Sequence, residues 1–231
     1  MAHKSGPAAR RTRHRGRVEG APGVAAPRGV EQIRQHICTE AARIMAEEGV
    51  TDFHSAKRKA ASRLNQPESR YLPSNHEVDA ALSAYLRLFH AERVSAVLAE
   101  LRRLAAQAMH FLASYDPRLV GPVLSGNVTP SSEIQLHLSA DTPEEIAFLL
   151  QEHNIPHDES TRRIRFGGER YENRPSFRFL AGSAMVELIV FTHQGAREAP
   201  LSPVDGKPMR RANLREVEAL LSHAAPFRPE F

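Results

Sequence analysis

The apolar residues of this chain change period once, at Asp116-Pro117, and that change limits the folds open to it. Before the break, apolar residues recur every three or four positions, the spacing of a helix face. Ile33, Ile37, Ile44 and Met45 make one such face, which Gly49 should end. Asp52 is placed to cap a second helix with Phe53, Ala56, Ala60 and Leu64 inward and Lys57, Arg58, Lys59 and Arg63 on a solvated side. Ser74 to Glu77 has the form of a capping box, followed by Val78, Ala81, Leu82, Tyr85 and Leu86. A longer stripe runs through Val94, Val97, Leu98, Leu101, Leu104, Ala105, Met109 and Leu112. After the break the period falls to two, the spacing of strands. Leu119 to Leu124 reads as a buried strand, and Ile134, Leu136 and Leu138 alternate with Glu133, Gln135 and His137. Thr142-Pro-Glu-Glu145 opens a helix, and Asn154-Ile-Pro156 turns the chain. Ile164 with Phe166, Phe177 with Phe179, and Val186 to Phe191 supply further strands. A Pro- and Gly-containing loop then leads to a last helix capped by Asn213. The fold class is therefore α+β: a helical region over 30–114, then a small mixed sheet with flanking helices over 115–231.

Charge is distributed unevenly. Within residues 1–29, Lys4, Arg10, Arg11, Arg13, Arg15, Arg17 and Arg28 face only Glu19, a net of +6. With the whole chain at +4, the rest carries −2. This basic tail has no apolar period and is expected to be disordered. It could contact nucleic acid or another acidic surface, but it lacks interleaved aromatic rings for stacking on bases. No stretch approaches the roughly 20 apolar residues of a membrane span, and no apolar leader segment is visible, so a cytoplasmic location is expected. The single cysteine, Cys38, excludes an internal disulfide and is expected to be a buried thiol on its helix. His54, His76 and His110 have no metal-ligand spacing, and neither a P-loop nor a Gly-x-Ser-x-Gly elbow occurs.

One constellation carries chemistry. Strand residues two apart share a face at roughly 6.6 Å. Carboxylates so placed, joined by one from a neighbouring strand, can hold two divalent ions about 4 Å apart for phosphoryl transfer. A glycine turn upstream lets backbone N–H groups approach a triphosphate. Gly121, Ser132-Glu133-Ile134-Gln135 and the later Val-Glu187-Leu-Ile-Val strand have this form.

The pattern resembles the signature of the DNA polymerase beta-like nucleotidyltransferases over roughly residues 115–192. A closer likeness is to bacterial proteins with this helical front and a nucleotidyltransferase-like back. The resemblance implies catalytic positions at Glu133, Gln135 and Glu187, and nucleotide contacts from Gly121, Ser125, Gly126 and Ser132. It implies Mg²⁺ or Mn²⁺ on Glu133 and Glu187, and a nucleoside triphosphate as partner. The chain departs from the pattern in three places. Glu133 replaces the family's aspartate, and a misplacement of about 1 Å can cost about 10²-fold in rate. Gln135 brings an amide instead of a charge. Pro122 has no N–H to offer a phosphate. Lys207, Arg210 and Arg211 are candidate phosphate neutralisers. The expectation is nucleotide binding with transfer of a nucleoside monophosphate weak or absent. The alternative is a nucleic-acid- or protein-binding module in which this fold is only a scaffold.

Overall fold

Helix boundaries follow the local chemistry of the chain. A computed structural model describes residues 28–66 and 72–223. Apart from Arg28 and Gly29, which open the first helix, the basic tail lies outside the described residues. Helix α1 (Arg28–Glu48) ends where Gly49 takes a φ of +71°. Asp52 caps α2 (Phe53–Arg63) by accepting the Ser55 N–H at 2.8 Å. Ser74 and Glu77 close the reciprocal box of α3 (Asn75–Phe89). These three helices bury Ile37, Ile44, Ala56, Ala60, Val78 and Leu82 in one core, with Cys38 beside them. The cationic side of α2 is tied down. Lys59 and Arg63 pair with Glu48 of α1, and Lys57 donates to the Pro73 carbonyl and to Asn75.

Helix α4 (Ala91–Phe111) belongs to a second core. Its Leu101, Leu104, Ala105 and Met109 pack on the sheet, although its sequence groups it with the helical front. The chain then breaks at Asp116, whose φ is +44°, and enters β1 (Arg118–Val120). The expected strand over Leu119–Leu124 is thus cut short. Gly121 turns the backbone at φ +71°, and Gly121–Ser125 form a single helical turn, α5. Pro122 explains this outcome: its fixed φ and missing N–H suit the first turn of a helix and not a central strand.

Four more strands follow: β2 (Ile134–Ser139), β3 (His157–Arg165), β4 (Tyr171–Ala181) and β5 (Ala184–Phe191). Helix α6 (Pro143–Glu152) stands between β2 and β3, opened by the Thr142–Glu145 box. Helix α7 (Leu214–His223) closes the described chain, with Asn213 accepting the Glu216 N–H. The sheet order is β1-β2-β5-β4-β3, with β2 and β5 parallel and every other pair antiparallel. Strand β3 is longer than the Ile164–Phe166 segment suggested. It pairs with β4 along nine residues, yet most of it is exposed on both faces, so no alternation marks it. Pro175 of β4 falls where pairing to β5 stops, as expected of a residue with no N–H for the ladder.

The two faces of the sheet differ. One carries Leu119, Ile134, Leu136, Leu138, Val186, Leu188, Phe177 and Phe179, sealed by α4, α6 and α7. The other carries Gln135, His137, Ser139, Glu187, Ser176 and Arg178. It also carries a small apolar cluster of Phe166, Ile189 and Phe191. No helix among the described residues is long and apolar enough to cross a membrane.

Candidate functional site

The parallel pairing of β2 and β5 sets Gln135 beside Glu187 on the polar face. Gln135 Nε2 donates to Glu187 Oε2 at 3.2 Å. Glu187 lies on a central strand and is 3% exposed. A carboxylate so buried needs partners, and it has two more at Oε1. These are the Ser176 hydroxyl at 3.2 Å and Arg162 Nε at 3.1 Å.

Glu133 immediately precedes β2 and shares the parity of Gln135, so it faces the same side. It forms an ion pair with Arg178, which stands directly opposite Glu187 in the β4–β5 register. The result is an alternation of acid and guanidinium across the middle of the face. Among the described residues, no three His, Cys, Asp or Glu side chains come together as a metal-holding group.

Gly121 meets this cluster from below. A Cβ on Gly121 would lie 2.4 Å from Gln135 Oε1 and would push that side chain aside, while the positive φ is what favours glycine. The other residues expected at a nucleotide are engaged elsewhere. Ser125 donates to the Pro122 carbonyl, and Gly126, at the C-terminal end of α5, faces Leu98 and Arg102 of α4. Ser132 Oγ accepts the Thr129 N–H and closes a turn. None of the three is hydrogen-bonded to Glu133, Gln135 or Glu187.

Further along the same face, His137 departs from expectation. An exposed polar residue on a half-solvated strand is the simple reading of its position. It is instead 4% exposed, with its ring 4.7 Å from that of Phe191. Burial, and secondarily the charge of Arg211, push its pKa down to about 3, so the ring is neutral at pH 7. Beside it opens a cavity of about 260 Å³ whose lining includes Asp116, Arg118, His137, Ser139, Phe191, Ala196 and Arg211. Lys207 and Arg210 are exposed, whereas Arg211 reaches this wall.

Sequence reasoning missed Arg162, Arg178, Arg118 and Ser139. The first two become visible only once the β3–β4–β5 register is known. Ser139 carried a signal, because it shares the parity of Gln135 and His137 along β2. No family model matches the chain, and neither a curated protein nor a solved structure is similar to it.

Proposed function

We propose that the polar face of the sheet binds a nucleotide in a nucleotidyltransferase-like arrangement whose transfer activity is weak or absent. One observation carries this reading: Gln135 and Glu187 lie side by side on adjacent strands, directly against a glycine turn with no Cβ. Such a juxtaposition sets a close-approaching backbone bend, the kind of feature a phosphate contacts through N–H groups, beside acceptor side chains able to hold a cation.

The charge arrangement argues for binding over turnover. Two Mg²⁺ ions bring four positive charges. The two carboxylates here are already balanced by Arg178 and Arg162, and Gln135 adds no charge. This donor set does not fit two ions. It fits one, on Glu133 and Glu187 with the Gln135 carbonyl oxygen, if the guanidinium groups swing away and the Gln135 amide turns its oxygen from Gly121 toward Glu187. An ion held there would neutralise phosphate charge. Arg162 and Arg178, each paired with a carboxylate, would instead offer a phosphate their remaining N–H donors. Their side chains are 52% and 40% exposed, so each keeps N–H donors toward solvent.

Titration calorimetry with nucleoside triphosphates, with and without Mg²⁺ or Mn²⁺, tests the reading. Binding is expected without a divalent ion and should weaken in Arg178→Gln. Robust transfer of labelled nucleotide that disappears in Glu133→Ala would overturn the inactive reading. Failure of every nucleotide to bind would remove the proposal itself.

A further inference from the structure

The cavity beside His137 belongs to none of the groups assigned above. It lies one step along β2 from Gln135, and the arginine, histidine and serine side chains of its wall come from three separate parts of the chain. Arg118 comes from β1, His137 and Ser139 from β2, and Arg211 from the segment before α7.

The wall holds more cationic donors than acids to match them. Among the described residues, the Arg211 guanidinium has a single hydrogen-bond partner, the Ala196 carbonyl at 2.6 Å from Nη1. No carboxylate among them reaches it, which leaves Nε and Nη2 without a partner. Arg118 is held by Asp116 through Nε and Nη2, and that contact fixes the plane of its fork while Nη1 has none. His137 Nδ1 is buried without any partner. The Ser139 hydroxyl touches His193 Nδ1 at 2.7 Å, and the far nitrogen of that ring lies 3.4 Å from Asp141. Asp116, which lines the cavity itself, is thus paired with Arg118, and Asp141, outside the lining, lies against His193. Half-buried guanidinium donors facing an open volume call for an anion.

The shape narrows the choice. A planar carboxylate has two oxygens in one plane. Donors arriving from three parts of the chain suit an oxyanion with oxygens in several directions. The volume corresponds to roughly eight or nine water molecules at about 30 Å³ each. That leaves room for a phosphate with part of whatever bears it.

We propose that this cavity binds a phosphate group, gripped by Arg118 and Arg211 with Ser139 and His137 completing the wall. The group is either inorganic phosphate or the terminal phosphate of a larger ligand. The proposal does not require the nucleotide reading.

Calorimetry of the full chain at constant ionic strength, with inorganic phosphate, pyrophosphate and ATP, tests it. The histidine ring signals in NMR at pH 7 report on His137 in the same titrations. Saturable binding that shifts the His137 signal is expected, with affinity about tenfold lower in Arg211→Gln and in Arg118→Gln. Circular dichroism confirms that each variant folds, and either one alone suffices. Saturation by inorganic phosphate without competition from ATP identifies the free anion. A His137 shift with ATP or pyrophosphate alone identifies the end of a larger ligand. Absence of a saturable His137 shift with all three ligands, or affinity unchanged in both variants, overturns the proposal. ATP binding that depends on Arg178 but not on Arg211, with no saturable binding of inorganic phosphate or pyrophosphate, does so while leaving the nucleotide reading intact.

Discussion

Gly121, Glu187 and His137 each show a different relation between a residue and its surroundings. Gly121→Ala must place a methyl group against Gln135 Oε1 at a backbone angle that favours glycine. The expected loss is roughly 1–3 kcal/mol, checked by the urea unfolding midpoint, together with displacement of the Gln135 side chain. Glu187→Ala leaves Gln135, Ser176 and Arg162 without their shared acceptor. Since Arg162 is half exposed and can turn to water, about 1–3 kcal/mol is expected in the same measurement. The parity of Gln135 and the apolar run around Glu187 were readable from the chain alone, and so was the possibility that they meet. The burial of His137 was not. Parity along β2 gives the face, but what covers that face comes from Phe191, Ala196 and Arg211, distant in sequence. The same limit hid the arginines that balance Glu133 and Glu187.

At the level of elements, punctuation signals were the most informative. Asp52, the Ser74–Glu77 and Thr142–Glu145 boxes and Asn213 all open the helices they announce. Each acts within one turn, so no tertiary knowledge is needed. Ser74→Ala should cost about 1 kcal/mol, measurable as a lower melting temperature. The Glu77 carboxylate is held down to about 2, chiefly by its hydrogen bond from Arg34, against an ordinary value of 4.5. Its contribution is complete above pH 4.5 and is lost as pH falls toward 2. Melting temperatures across that window should fall less in Glu77→Gln. The effect should be modest, because both partners are over a third exposed. Two strand limits were misread, one through packing and one through a local signal that was overlooked. Strand β3 shows no alternation because neither face is buried along most of it, and Pro122 ended β1 three residues after it began.

For the whole molecule, a neutral histidine in the sheet has a global consequence. His137 sits near pKa 3 when folded and 6.5 when free, so between those values the unfolded chain binds the extra proton. Stability contributed by the buried ring is therefore full above pH 6.5 and declines as pH drops toward 3. The slope of melting temperature between pH 6.5 and 4 should flatten in His137→Asn. The sheet that carries this ring has two borders. At β1, Leu119 exchanges both backbone hydrogen bonds with Ala212, so that rim is partly closed. At β3, apart from one bond from Leu201 to Arg165, the outer main chain is bare among the described residues. Asp158, Glu159, Arg162, Arg163 and Arg165 stud this length with charge, and a second copy adding its own strand there would have to bring those charges together. Replacing Arg163 and Arg165 with valine should remove the deterrent, and sedimentation should then find dimers or larger aggregates at concentrations where the parent chain stays dispersed.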